Sequence, residues 1–291
     1  MRPTDPGPIA AAIQDAVARL QQMYPQEPSQ PVLQAVAGFL IGTTLLGALF
    51  YLLERLFPEQ HGQKILHRGT RTNLAFLLFD VLVTRRVVGL VTIVILIAAV
   101  ALNVPRTTLL AGQPLWLQAI EALLVSGFFG YWAHRLMHQV PALWRLHKVH
   151  HSSEELDWLA AGRVHPLESV WNRMFTLLPL FMLGFSPGIT AVFGPLLAVY
   201  PIFIHANVSW GYGPLGYVVA SPKFHRWHHS SDVAARDKNF SGLLPLYDYL
   251  FGTAHFPRHG RPERYGLADE PTPGSFLRQL AWPFRGPGVS G

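Results

Sequence analysis

The chain has 291 residues, half of them apolar and only 14% charged, with a net charge of +6 and no cysteine. A soluble domain carries ~25% charged residues, so the composition excludes an ordinary soluble globule and points to an integral membrane protein. Without cysteine there are no disulfides, iron–sulfur ligands or thiolate zinc sites, which leaves histidine as the main ligand for a borderline metal. The positive charge does not indicate nucleic acid, because no basic run is interleaved with stacking aromatics. The Lys and Arg residues sit mostly beside apolar segments, where they orient a chain in a membrane.

Residues 1–31 are polar and proline-rich and lack the basic and apolar regions of a signal peptide. Ile9, Ile13, Val17, Leu20 and Tyr24 share one helical stripe, which suits either an interfacial or a solvated helix. Val32–Leu53 reads as a first span, ended by Glu54 and Arg55, and the connection with Lys64, Arg68 and Arg71 is expected to face the cytoplasm. Leu74–Val83 is apolar but short and is closed by Arg85 and Arg86, the pattern of a re-entrant or interfacial helix. Val87–Val104 is a second span, Pro105–Pro114 a turn, and Leu115–Ala133 a third span that delivers His134 to the side of Arg85. Glu121, in the middle of that span, is expected to face the protein interior.

Met174–Ile204 is a long apolar run broken at Gly184, Ser186, Pro187 and Gly188, as in a hairpin that enters and leaves on one face. His134, His165 and His205 then all emerge on the same side, the one that holds most of the Lys and Arg. Trp132, Trp144, Trp158, Trp210 and Trp227 are expected to act mainly as interfacial anchors. The fold class is therefore all-α: a polytopic membrane protein with a cytoplasmic helical cap. Its organisation is a polar segment over 1–31, a membrane-embedded domain over 32–255, and a Pro/Gly/Arg-rich cytoplasmic tail over 256–291. The tail is expected to dock at the interface through Phe276, Leu277, Leu280, Trp282 and Phe284.

Eight of the fourteen histidines fall in three clusters: His134-x-x-x-His138, His147-x-x-His150-His151 and His225-x-x-His228-His229. Residues three and four apart share a helix face, so each cluster aims several imidazoles at one point. A lone HxxxH pair is ordinary on a surface, but two HxxHH runs downstream of it point to a metal site. The number of rings exceeds the demand of one ion and suits two ions. All-nitrogen ligation is compatible with iron, which has the redox chemistry that zinc lacks. The zinc-protease patterns HExxH and HxxEH are absent. His61, His67, His255 and His259 have no ligand spacing.

Over roughly Phe39 to Gly252 these runs resemble the fatty acid hydroxylase superfamily, in particular its sterol desaturase-like branch of membrane-bound histidine-box oxidases. Arg163-Val-His165-Pro-Leu-Glu168 is similar to that branch's histidine–proline element, and His205-Ala-Asn207 to its single histidine after the hairpin. Asp237-Lys-Asn239-Phe240 and Tyr247-Asp248-Tyr249-Leu250-Phe251-Gly252-Thr253 resemble the segment that closes the catalytic domain. The resemblance implies a non-haem di-iron oxidase that acts on lipid with O2 and two electrons. It implies two iron ions held by His134, His138, His147, His150, His151, His165, His205, His225, His228 and His229. No haem-binding HPGG element is present, which implies a separate electron donor of the ferredoxin or cytochrome b5 type.

Ligating imidazoles usually donate their other N–H to a carboxylate or carbonyl. Glu168, Asp232, Asp237 and Asn239 are the candidates for that role, with helix capping or surface solvation as the alternative. Hydroxylation and desaturation start with the same hydrogen abstraction, and the sequence leaves the choice between them open. The competing reading is a non-enzymatic, histidine-lined metal- or haem-binding membrane protein or transporter. A transporter places its ligands near the bilayer midplane, whereas these clusters lie at the ends of spans or outside them.

Overall fold

A computed structural model describes residues 32–285, apart from 103, 105–106, 108–109, 258–259 and 269, together with isolated positions between 11 and 22. Most of the stripe Ile9–Tyr24, His259 and residues 286–291 lie outside the described residues. Among the described residues the regular structure is helical, and the only β pairing is an isolated bridge between Ser230 and Tyr265.

Helix α1, Val32–Leu56, has no proline and turns its apolar residues outward: Leu40, Ile41, Leu45, Leu49 and Leu52 are all at least half exposed. Its inner face carries Phe50, which stacks on Trp158, and Glu54, whose carboxylate accepts from the backbone amides of Trp158 and Asn207. Apolar outside and polar inside is the reverse of a soluble helix.

The next helical stretch, Thr70–Ala101, is continuous over 32 residues and is the one helix among the described residues long and apolar enough to cross a membrane. Sequence reading divides it at Arg85 and Arg86, but the structure keeps it helical through a π-helical turn at Asp80–Thr84. The two cations fold back along the helix and do not end it. Arg85 pairs with Asp80 at 2.9 Å, and Arg86 donates to the carbonyls of Val81 and Leu82. Its first part, α2 (Thr70–Phe79), buries Thr70, Thr72, Asn73 and Phe76, while α3 (Arg85–Ala101) buries only Val88. The short apolar stretch thus turns Phe76 into the interior but keeps Leu74, Leu78 and Val83 exposed, and the longer one faces outward almost throughout.

Helix α4, Leu115–Gln139, packs along α6, Pro166–Met182, and α6 turns into α7, Pro187–His205, at Gly184, whose φ of 76° favours glycine. The turn reaches the start of α4, where the Ser186 amide donates to the buried side chain of Gln118. Leu180, Phe185, Ile189, Phe193 and Ala122 form the core there. The expected hairpin therefore runs the depth of α4, about 24 Å from Gln118 to His134 at 1.5 Å per residue. Glu121 is half-buried and accepts from Gln113.

At the opposite end a cap is built from α5 (Pro141–His151), α8 (Pro222–His228) and, beyond the short α9 (Leu246–Leu250) that packs back along α4, α10 (Phe276–Ala281). Two buried arginines tie it together. Arg163 donates to Asn73, Ser152 and the Gly69 carbonyl, and Arg226 donates to the carbonyls of Leu156 and Ala206 beneath the Tyr265 ring. The C-terminal residues fold over this cap: Glu270 pairs with Lys148, Trp282 covers that ammonium, and Phe276 packs on Phe76 and Phe79. Of the five apolar tail residues, Phe276 and Trp282 face inward, while Leu277 and Phe284 remain exposed.

Candidate metal centre

Helix geometry distributes the three histidine runs. His134 and His138 occupy the last turns of α4, one turn apart. Val140 is extended and Pro141 opens α5, so the chain reverses and brings His147, His150 and His151 back over them. His147 and His151 are four apart and face one point, whereas His150 lies about 100° around the helix from His151 and faces another. Helix α8 repeats the arrangement with the roles exchanged. Its start is set by Pro222 and by the Ser221 hydroxyl accepting from the Phe224 amide. His225 and His229 share one direction and His228 takes the other.

Two groups result. His134, His138, His147, His151 and His228 form the first, and His150, His205, His225 and His229 the second; within each, one ring nitrogen per residue lies within 4.8 Å of all the others. The groups adjoin, with the His151 and His229 rings stacked at 4.5 Å. Nine of the ten expected histidines are thus brought together. His165 is not: it sits extended before Pro166, its Nδ1 accepts from the Leu167 amide, and its Nε2 donates to the Leu280 carbonyl at 3.2 Å. Both of its nitrogens are committed to capping α6 and holding the tail.

The ring tautomers follow from the partners. A carbonyl only accepts, so Nδ1 carries the proton in His134 (to Phe240 O), His228 (to Lys238 O), His150 (to Arg163 O) and His205 (to Pro201 O). Nδ1 of His138 donates to Asp237 at 3.1 Å, and that of His147 donates to Glu168 at 2.8 Å. The Nε2 atoms of these six rings therefore present lone pairs. His134 and His147 bring two such lone pairs to 2.9 Å, and His150 and His205 bring two to 3.1 Å. Neither contact is a hydrogen bond, and both repel unless a cation stands between the nitrogens. Metal–nitrogen bonds of about 2.1 Å place neighbouring ligand atoms about 3.0 Å apart at right angles and about 3.4 Å apart at tetrahedral angles. Nε2 of His138 and His228 is buried with no other partner. The donor set fits a metal ion in each group.

Burial, reinforced by neighbouring imidazoles, pushes the rings of His147, His150, His151, His225, His228 and His229 well below their ordinary range. Uncharged rings at neutral pH keep their lone pairs for a metal. The scaffold of the first group is a strained loop. Asp237 and Asn239 have φ of 55° and 57°, and the loop they shape directs the Asp237 carboxylate and the Lys238 and Phe240 carbonyls at three rings. Asn239 pins the loop through the Phe224 and His255 backbones. The wholly buried Asp248 accepts from the amides of Phe240 and Ser241 and from the Thr253 hydroxyl.

Of the four polar residues singled out from the sequence, Glu168 and Asp237 touch rings and Asn239 shapes the loop. Asp232 donates its amide to Ser230 and accepts from the Ala235 amide through its carbonyl, with no bond to a ring among the described residues. The carbonyl acceptors leave no mark on residue identity, which is why reading the sequence misses them. Asp248 does lie in a stretch noticed there, between two aromatics.

Residues 119–253 match the sequence model of the fatty acid hydroxylase family. Ornithine lipid hydroxylase of Rhizobium tropici is 34% identical over 171 residues, covering 59% of this chain and 51% of that protein. Human alkylglycerol monooxygenase is 34% identical over 148 residues, covering 50% of this chain and 32% of that protein, and its Caenorhabditis elegans counterpart is 30% identical over 148 residues, covering 51% and 29%. The chain therefore spans about half the length of the first relative and about a third of the others. No solved structure matches. The matched segment, residues 119–253, holds all three histidine runs and is similar to the fatty acid hydroxylase family and to these lipid hydroxylases and monooxygenases.

Proposed function

We propose that this chain is a membrane-bound non-haem di-iron oxidase that hydroxylates a lipid. The reaction consumes O2, two electrons and two protons, converts one C–H bond to C–OH and releases water. The electrons come from a separate carrier protein of the ferredoxin or cytochrome b5 type. The observation that carries the reading is the convergence of imidazole lone pairs from four helices, in a cap at one end of helices whose apolar side chains face outward. Insertion of oxygen is preferred over desaturation because the names of the relatives, a hydroxylase and a monooxygenase, describe that chemistry.

The nine grouped histidines hold the metals, five at one position and four at the other. Iron bound there supplies dioxygen activation and the abstraction of a hydrogen atom that no side chain can perform. The chain's own residues do the rest. The Nδ1–H donors, fixed by Glu168, Asp237 and four carbonyls, orient the rings and set how strongly each nitrogen donates. The cap covers the centre and excludes water. Helices α1, α3 and α4 and the α6–α7 hairpin span the bilayer with the histidines on the cytoplasmic side. A transporter or haem protein has less support, because the rings lie in the cap and their nitrogens close to 3 Å, which leaves no gap for a macrocycle.

Expression in a host that supplies candidate lipids and a working donor should add one oxygen to a membrane lipid. Identical lipid profiles with and without the chain overturn the reading. Protein purified without a chelating resin should hold close to two irons, and one tightly held zinc with activity insensitive to iron chelation refutes the metal assignment. Reporters after Arg71 and Ser152 should read cytoplasmic and one at Gly112 external; a cytoplasmic signal at Gly112 breaks the topology.

A further inference from the structure

The segment from Leu243 to Phe251 follows the last histidine run and carries no long apolar stretch of its own, yet it packs deep along α4. The Tyr247 hydroxyl donates to the Leu124 carbonyl at 2.7 Å, and the Tyr247 ring meets Phe128 at 5.7 Å. Gly127 makes room for it: a methyl group there would come within 3.0 Å of Leu244 and 3.1 Å of Tyr247. Leu124 lies ten residues before His134, about 15 Å along the helix, which is half of a ~30 Å hydrocarbon core. A short helix at that depth beside a spanning helix stands at the level of lipid chains.

The chemistry of the segment agrees with that position. Leu246, Tyr249 and Leu250 are 47%, 39% and 66% exposed, and they adjoin the exposed Leu215, Tyr217 and Val218 through the Tyr217–Tyr249 ring pair. The patch continues onto the exposed Ile120, Leu124 and Phe128 of α4. The one charged side chain between Phe240 and Thr253, Asp248, is wholly buried and points inward to two amides and a hydroxyl. Much of the backbone is turned inward too: the amides of Tyr247, Tyr249 and Phe251 donate within the segment, Pro245 has no N–H, and the Leu243 carbonyl accepts from Ala220. Backbone bonds made within the segment, inward charge and outward leucine suit a hydrocarbon environment.

We propose that Leu243–Phe251, with Leu215–Val218 beside it, is a membrane-dipping lip that inserts its exposed leucines and tyrosines among the acyl chains of the leaflet nearest the cap. The occupant of the patch is lipid and not a second copy of the chain. The lip adjoins the metal centre, because Phe240, three residues before it, supplies the carbonyl that holds His134. This inference rests on the membrane topology proposed above.

The chain has no cysteine, so single-cysteine variants carry one spin label each. Leu246→Cys and Leu250→Cys are compared with Ile93→Cys on the exposed face of α3 and Arg145→Cys on the cap, all in phosphatidylcholine/phosphatidylglycerol vesicles. Collisions with oxygen report lipid, and collisions with a polar nickel chelate report water. The oxygen-to-nickel ratio at Leu246 and Leu250 should match that at Ile93 and exceed that at Arg145 by about tenfold or more, since hydrocarbon excludes the chelate. A water-like ratio at both lip positions with a lipid-like Ile93 overturns the lip alone. Shielding from both reagents means a protein covers the patch, and also overturns it. A water-like Ile93 brings down the membrane topology and the lip with it. Hydroxyl-radical footprinting of the unsubstituted protein in the same vesicles should leave Leu246, Tyr249 and Leu250 unmodified while oxidising His61 in the polar loop; oxidation of the lip residues to the same extent refutes the insertion.

Discussion

The two histidine groups are drawn from the same HxxHH runs, but their supports differ. In the first group two Nδ1–H donors end on carboxylates, Glu168 and Asp237, and two end on carbonyls of the strained loop. The second group uses only carbonyls, from Arg163 and Pro201, and leaves Nδ1 of His225 and His229 buried without a partner. The groups also differ in access: Asp237 keeps 59% of its side chain exposed, while all four residues of the second group are buried. A carboxylate partner makes an imidazole a stronger donor than a neutral carbonyl does. The two positions are therefore expected to be inequivalent, with the first more electron-rich and closer to solvent.

The largest effect should come from removing a ring. His150→Ala in the second group and His228→Ala in the first should each lower lipid oxidation by more than the ~10–100-fold typical of outer partners, with membrane insertion retained. If one of the two keeps near wild-type turnover, the groups do not work as one centre. Glu168→Gln comes next and tests the inequivalence directly. It should weaken metal binding at the first position by about 10–100-fold and spare the second, so that titration of apoprotein becomes clearly biphasic. Equal weakening at both positions removes the distinction. Asp237→Asn should act in the same direction but more weakly, within about tenfold, because water substitutes for an exposed partner more readily than for a buried one; metal retention against a competing chelator measures it.

The smallest effect concerns a support behind the second group. His67 reaches Asp157 through Nε2 at 3.0 Å and Glu155 through Nδ1 at 2.8 Å. Burial opposes its charge, but the hydrogen bond to Asp157 and the two carboxylates outweigh it, and its pKa lies above the ordinary 6.5. When the ring is neutral, Nδ1 accepts instead from the Gly69 amide at 3.1 Å. A raised folded pKa means that the contribution is complete below 6.5 and is lost as pH rises through the folded value. His67→Gln should therefore lower Tm by a few degrees, about 2–4 °C per kcal/mol, at about pH 6, and by less at about pH 8.5. A gap that widens with pH contradicts the charged assignment.

Much of this arrangement was legible from composition and spacing. Low charge and long apolar runs pointed to membrane helices, and three- and four-residue spacing predicted convergent rings. Breakers at Gly184–Gly188 predicted the hairpin. Those features are local, set by the helical period and by the backbone limits of glycine and proline. What the sequence left undetermined depends on contacts between distant segments. The division of each HxxHH run between two groups needed the mutual rotation of α5 and α8. The placement of His165 in a helix cap depended on the docked tail, whose Leu280 carbonyl accepts from its second nitrogen. The carbonyls of Lys238, Phe240, Arg163 and Pro201 are backbone groups common to every residue, so only tertiary structure decides which of them meets a ring. Leu243–Phe251 is too short and too interrupted to register as a membrane segment, and its depth is set by packing against Gly127 rather than by its own hydrophobicity.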